Sequence, residues 1–276
     1  MKITYLGTAA SEGFPAVFCN CKYCNEARKL KGKNIRTRSQ ALIDDDLLLD
    51  FPQDSYMHFL QNDIQADKIK YLLLTHSHMD HFYIDDLAAR GSAFAHDMRA
   101  ETLDAYCGKG AYEKAVAYMG GDSRFQFRIH NTGLFQPFKV GDFEVTALPA
   151  KHMPGDDARI YIISKQGKTL LYCNDTGYCF EEVFDYIQRK KIVFDMVSLD
   201  CTNVNIPIDD EHGHHMGFPN IQRLLQRLKD IGAVTQDTVK YVTHFSHNGN
   251  PIQSYLEECA TPLGCKVAYD GLQVEF

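Results

Sequence analysis

The chain has 276 residues, near the upper end of what one hydrophobic core supports, and its 45% hydrophobic and 24% charged content is that of a globular enzyme. The formal net charge is −7 with no long basic tract, which disfavours a long nucleic-acid partner because phosphate neutralisation needs a basic face. No apolar run approaches the roughly 20 residues that cross a bilayer, and MKITYLGTAA lacks a leader's apolar stretch, so no membrane partner and a cytoplasmic location are expected.

In chain order, the first strand is expected at 2–7. CNCKYC follows, where Cys19, Cys21 and Cys24 offer three thiolates to one ion. A structural zinc wants four ligands, and the candidate for the fourth is the distant His247; three buried or redox-active thiols are the plain alternative. The other cysteines read as small core hydrophobes, and a reducing compartment favours metal binding over disulfides. Arg36 and Arg38 have the geometry to clamp a substrate phosphate, though a solvated pair fits equally well.

A strand pair is expected over 39–51, turning at the Asp cluster, and Asp50 ends its LLL run. The next strand, 70–76, runs into THSHMDH. His76, His78, Asp80 and His81 crowd six positions, too many donors for one ion and enough to begin two shells. A helical middle is expected at about 83–120, with 92–135 a candidate lid or insertion within a single domain spanning 1–276. Later strands are expected at 142–150, 160–175, 195–201, 240–246 and 266–276. The 160–175 piece reads as a hairpin around Gln166-Gly167. Helical spacing appears at Phe180, Val183, Phe184 and Ile187, and again at Ile221, Leu224, Leu225, Leu228 and Ile231.

Three more donors sit just beyond strand candidates: His152, Asp175 and His244. On position alone His152 and His244 are as readable as hydrogen-bonded structural residues. Imidazoles and carboxylates suit Zn²⁺, Mn²⁺ or Fe, and a carboxylate such as Asp175 can bridge two ions. His58, His96 and His130 read as structural. DDEHGHHMGFPN (209–220), ahead of the amphipathic helix, offers three more histidines, His212, His214 and His215.

THSHMDH resembles the His-x-His-x-Asp-His signature of the metallo-β-lactamase superfamily, and Asp50, His152, Asp175 and His244 follow that family's chain order. The resemblance implies an α/β fold, a four-layer αββα sandwich with a dinuclear site. One ion would take His76, His78 and His152, the other Asp80, His81 and His244, with Asp175 between them. Asp80 would thus be both ligand and catalytic residue, and Asp50 would orient a ligand histidine. Gly7-Thr8, the Cys19–Cys24 knot and Arg36-Thr37-Arg38-Ser39 are similar to the phosphoribosyl cyclic phosphodiesterases of phosphonate breakdown. That likeness places His247 in the structural zinc site and makes His215, followed by Met-Gly, the proton donor. It implies a hydrolase of small cyclic or nucleotide-like phosphodiesters, acting through a metal-bridging hydroxide. A tRNA 3′-processing nuclease, a lactone or thioester hydrolase, and a non-catalytic metal-binding protein of cofactor biosynthesis are the alternatives. A homodimer is left open.

Overall fold

Alternation along short apolar strands dictates the layers. The structure is a computed structural model describing residues 1–91, 93–120 and 125–276. Its first sheet runs in the order β14-β1-β2-β3-β4-β5-β6. These are β1 (Lys2–Gly7), β2 (Gln40–Ile43), β3 (Leu47–Leu49), β4 (Tyr71–Leu73), β5 (Leu103–Cys107), β6 (Phe127–Asn131) and β14 (Leu272–Glu275). The second sheet runs β13-β12-β11-β10-β9-β8-β7. It contains β7 (Pro137–Val140), β8 (Phe143–Pro149), β9 (Arg159–Lys165), β10 (Lys168–Cys173), β11 (Met196–Asp200), β12 (Val239–Thr243) and β13 (Lys266–Val267).

Every other residue joins the core between the sheets. Ile3, Tyr5, Ala41, Ile43, Leu47, Leu49 and Leu73 of the first sheet meet Val145, Ala147, Tyr161, Ile163, Leu170, Tyr172 and Met196 of the second. The intervening residues face helices. Leu42, Leu48, Leu72 and Ala105 pack with α3 (Ile84–Leu87) and with Ala111 and Ala115 of α4 (Lys109–Met119). Ile160, Ile162, Leu171, Val197, Leu199 and Val242 pack on α5 (Glu181–Lys190), α6 (Phe218–Asp230) and α7 (Gln253–Ala260). Helices, sheet, sheet, helices is the four-layer α/β sandwich. Both faces of each sheet are covered, which is why LLL and YLLL are continuous apolar runs. Each fully buried aliphatic here contributes about 1.5–3 kcal/mol.

The 160–175 hairpin turns at Gln166 and Gly167, both at positive φ (51° and 77°), the primed-turn geometry that matches strand twist. Three strands lay outside the sequence reading: β5, β6 and β7. β5 interrupts the helical middle expected at 83–120, and β5 and β6 fall within the stretch 92–135 read as a candidate lid or insertion. β5 and β6 are paired members of the first sheet, and α4 covers it between them. Residues 92 and 121–124 of that stretch lie outside the described residues. β6 is an edge strand, FRIHN, with no buried residue, so no hydrophobic period marks it. The final strand expected at 266–276 is two strands. The chain breaks at Gly271 (φ 86°), so β13 closes the edge of one sheet and β14 the edge of the other. Among the described residues, no helix is long and apolar enough to cross a membrane.

Candidate metal centre

Parallel pairing of β3 with β4 and of β10, β11 and β12 sets their C-terminal ends side by side. The residues just past those ends are Asp50, His76–His81, Asp175, and His244. His152 arrives after β8, which runs the same way as β10 because both are antiparallel to β9. Asp50 and His244 both take left-handed backbone, at φ 63° and 64°, turning the chain sharply where each strand stops.

The donors meet in four groups, each with its ligating atoms within 4.8 Å of one another: His76, His78 and His152; Asp80, His81 and His244; His76, His81 and Asp175; and Asp175 and His244 with Asp200 and His215. Nε2 of His76 lies 2.8 Å from Nδ1 of His78, and Nε2 of His152 lies 3.3 Å from the same atom. Asp175 Oδ2 stands 3.6 Å from His152 Nε2, 3.6 Å from His244 Nε2 and 3.7 Å from His81 Nε2. The three Asp175 separations are too long for hydrogen bonds, but suit atoms sharing a tetrahedral ion, about 3.4 Å apart at 2.1 Å ligand distances. Asp175 Oδ1 is buried without a hydrogen bond, although His215 Nδ1 lies only 2.6 Å away. A buried carboxylate whose Oδ2 faces three imidazoles, with Oδ1 beside His215 Nδ1, has the donors and charge to share a cation, so the residues fit the ions. Burial holds His76 well down and His152 and His244 at about 3, keeping them neutral for ligation. Burial also opposes charge on His81, but Asp50, Asp80 and Asp175 together raise it to about 9. Burial lifts Asp175 to about 7.

Each half of the cluster is held from behind. Asp50, fully buried, accepts from Thr75 N at 2.7 Å and holds His81 Nδ1 at 2.7 Å. Asp200, at the end of β11, repeats the device in the second sheet and was missed in the sequence. Its Oδ1 accepts from the backbone of Thr202 (3.0 Å) and Met216 (3.1 Å), and its Oδ2 sits 3.2 Å from His215 Nδ1 and 3.5 Å from His244 Nδ1. SLDCT has the signal: a strand ending in Asp, as LLLDF does at Asp50. Lys114 of α4 was also missed; its Nζ donates to Ser77 O (2.8 Å) and Phe82 O (2.7 Å), clasping the THSHMDH loop from below.

His215 lies in the wall of a pocket of about 520 Å³ that opens over the cluster. Burial works against its charge, yet Asp175 and Asp200 raise it to about 11. His212 is exposed beside Asp209, while the backbone O of exposed His214 lies 3.3 Å from His152 Nδ1.

Arg36 and Arg38 correct the expectation of a phosphate clamp. Arg36 is 2% exposed, donates to Thr8 Oγ1 and Ala268 O at 2.7 Å, and stacks on Phe245. Arg38 pairs with Asp54 and donates to Ser11 O at 2.8 Å; neither residue lines the pocket.

Cys19, Cys21, Cys24 and His247 come together from the two ends of the chain. His247 Nδ1 is 3.4 Å from Cys19 Sγ and 3.7 Å from Cys21 Sγ. A tetrahedral zinc with 2.3 Å sulfur and 2.1 Å nitrogen bonds has edges of about 3.6 Å between nitrogen and sulfur, so the set fits. Burial pushes the Cys21 thiol up, but His247 and the Cys24 backbone N–H outweigh it and bring it down to about 6.

A family model described as a β-lactamase superfamily domain matches residues 47–245. The chain is similar in structure to Zn²⁺-bound PqqB from Methylobacterium extorquens, with TM-score 0.73 and 18% identity over 100% of both chains. It is similar to a diphosphatase of the PhnP family, with TM-score 0.70 and 21% identity over 100% of this chain and 97% of that one. It is also similar to the short form of human tRNase Z, with TM-score 0.65 and 15% identity over 100% and 99%. At these identities the likeness is one of fold. The search of curated proteins found no match to the sequence.

Proposed function

The chain belongs to the β-lactamase superfamily, and on that premise we propose that it is a metal-dependent hydrolase whose substrates are small cyclic or nucleotide-like phosphodiesters. The observation that carries the reading is a histidine in the pocket wall outside the sets His76, His78, His152 and Asp80, His81, His244, grouped instead with Asp175, Asp200 and His244. His215 presents Nδ1 to Asp200 and Asp175, which leaves Nε2 as the nitrogen free for a substrate atom. The likeness to a PhnP-family diphosphatase supports phosphoryl chemistry; the likeness to PqqB supports zinc.

His76, His78 and His152 would hold one divalent cation, and Asp80, His81 and His244 a second, with Asp175 shared. Zinc, manganese or iron suits these donors. When bound, such ions acidify a water and draw charge from phosphoryl oxygens. The chain's own groups do the rest. Asp50 fixes the His81 ring, Asp200 and Thr202 fix His244, and the His214 carbonyl fixes His152. His215 gives its Nε2 proton to the departing alkoxide while Asp200 keeps the Nδ1 proton in place. Cys19, Cys21, Cys24 and His247 would hold a structural zinc.

The test compares metal-loaded protein on diesters with a p-nitrophenolate leaving group and on 2′,3′-cyclic nucleotides, whose leaving group is an alkoxide. Turnover of both is expected. His215→Ala should keep its metal content and lose about 10²–10⁴-fold on the cyclic substrate, far more than on the aryl one. Metal-replete protein that hydrolyses no diester defeats the proposal.

A further inference from the structure

The pocket over the cluster is walled by Ser11, Glu12, Asn203, Ser246 and Asn248 above the metal-site donors, and no Lys or Arg is among its described lining residues. Glu12 is the one charged group of that outer wall. It comes from the loop after β1, which is stitched to the ligand segment: Phe245 N donates to Thr8 O at 2.9 Å, and Ala10 N to Phe245 O at 3.0 Å. Its side chain is held too. Ser246 Oγ donates to Glu12 Oε1 at 2.6 Å, and His247 Nε2, the edge of that ring turned away from the Cys knot, lies 3.9 Å from the same oxygen. The side chain still keeps 32% of its surface exposed.

We propose that Glu12 is the specificity-determining residue of this pocket: it selects substrates whose ester group beyond the scissile phosphate carries neutral hydrogen-bond donors, and rejects those with a second anion there. This rests on the phosphodiester reading above. The cluster can balance the single charge of a diester. Away from His215, a further phosphate on the substrate would find no Lys or Arg among the described lining residues, only a fixed carboxylate. A hydroxyl in the same place meets an acceptor already oriented by Ser246, with the amides of Asn203 and Asn248 beside it. Like charges brought together in a partly desolvated pocket cost discrimination of about tenfold or more. Glu12 thus acts by charge, and the anchoring to Ser246 and His247 gives that charge a set position.

The experiment uses metal-loaded full-length protein and Glu12→Gln, which removes the charge and retains an oxygen for Ser246 to bond. The probes are the p-nitrophenyl ester of thymidine 5′-phosphate, which has a free 3′-hydroxyl, and the same ester carrying a 3′-phosphate. Calorimetric affinities for thymidine 5′-phosphate and thymidine 3′,5′-bisphosphate give a readout independent of turnover. Wild type should prefer the singly phosphorylated member of each pair. In Glu12→Gln both the kcat/KM ratio and the affinity ratio should move about tenfold toward the bisphosphate. Ratios within twofold of wild type, with both esters turned over, overturn the role of Glu12 and leave the diesterase reading standing. Metal-replete wild type that turns over neither ester takes both readings down.

Discussion

Replacing Asp200 by Asn separates structure from charge in one atom. Oδ1 of Asp200 accepts from Thr202 N and Oγ1 at 3.0 Å and from Met216 N at 3.1 Å, bonds an amide oxygen can keep. Oδ2 faces Thr176 N at 3.3 Å and His215 Nδ1 at 3.2 Å, and there the amide would present hydrogens to donors. One buried backbone N–H loses its acceptor, a cost of about 1–3 kcal/mol. At about 2–4 °C per kcal/mol for a chain of this size, the melting temperature falls by several degrees without loss of fold. The chemical effect is larger. His215 Nδ1 keeps Asp175 Oδ1 at 2.6 Å but loses one of the two carboxylates that hold its ring charged and oriented, so the charged ring that donates from Nε2 is less favoured. A misplaced general acid costs about 10²–10⁴-fold. The loss should therefore depend on the leaving group: near the full factor for 2′,3′-cyclic nucleotides, and small for p-nitrophenolate, which departs without a proton. The assay is kcat/KM for both substrates, with bound metal measured on the same samples. Equal losses on the two substrates, at unchanged metal content, would refute the assignment of Asp200 and His215 to proton donation.

Two other outcomes follow from the geometry. Wild type should carry three divalent ions per chain by elemental analysis; Cys24→Ala should carry two and melt at lower temperature, since binding energy at a structural site is folding energy. A content unchanged by Cys24→Ala removes the knot from the metal sites. His58 is 1% exposed between Gln40 and Thr37, and burial holds it at about 4 against an ordinary 6.5. The unfolded chain therefore takes up this proton first as pH falls, so stability drops from about pH 6.5 to about pH 4, by about 3 kcal/mol in all. His58→Gln should flatten that part of the melting-temperature profile relative to wild type, and parallel profiles would disprove it.

Within the chain itself, THSHMDH declares metal chemistry because four hard-to-bury donors in six positions have few other uses. The strands that deliver His76 and Asp175 are legible because both sheet faces are buried, so YLLL and LLYC stay apolar up to the polar turn, while those before His152 and His244, FEVTALP and VKYVT, mix polar residues into the apolar pattern. Such signals are local, fixed by residue type and spacing. What the tertiary structure alone decided is which strand ends abut. Arg36 reads as a phosphate ligand until Ala268, 232 positions away, takes its guanidinium. Lys114 and Glu12 look ordinary in the sequence, and Asp200 shows only a strand that ends in Asp. They matter because α4 lies under the ligand loop, the loop after β1 lies beside Ser246, and β11 ends between β10 and β12. A side chain's chemistry is written in its own residue type, but its partner is set by chain segments brought together through the packing of two sheets, and no spacing rule carries that information.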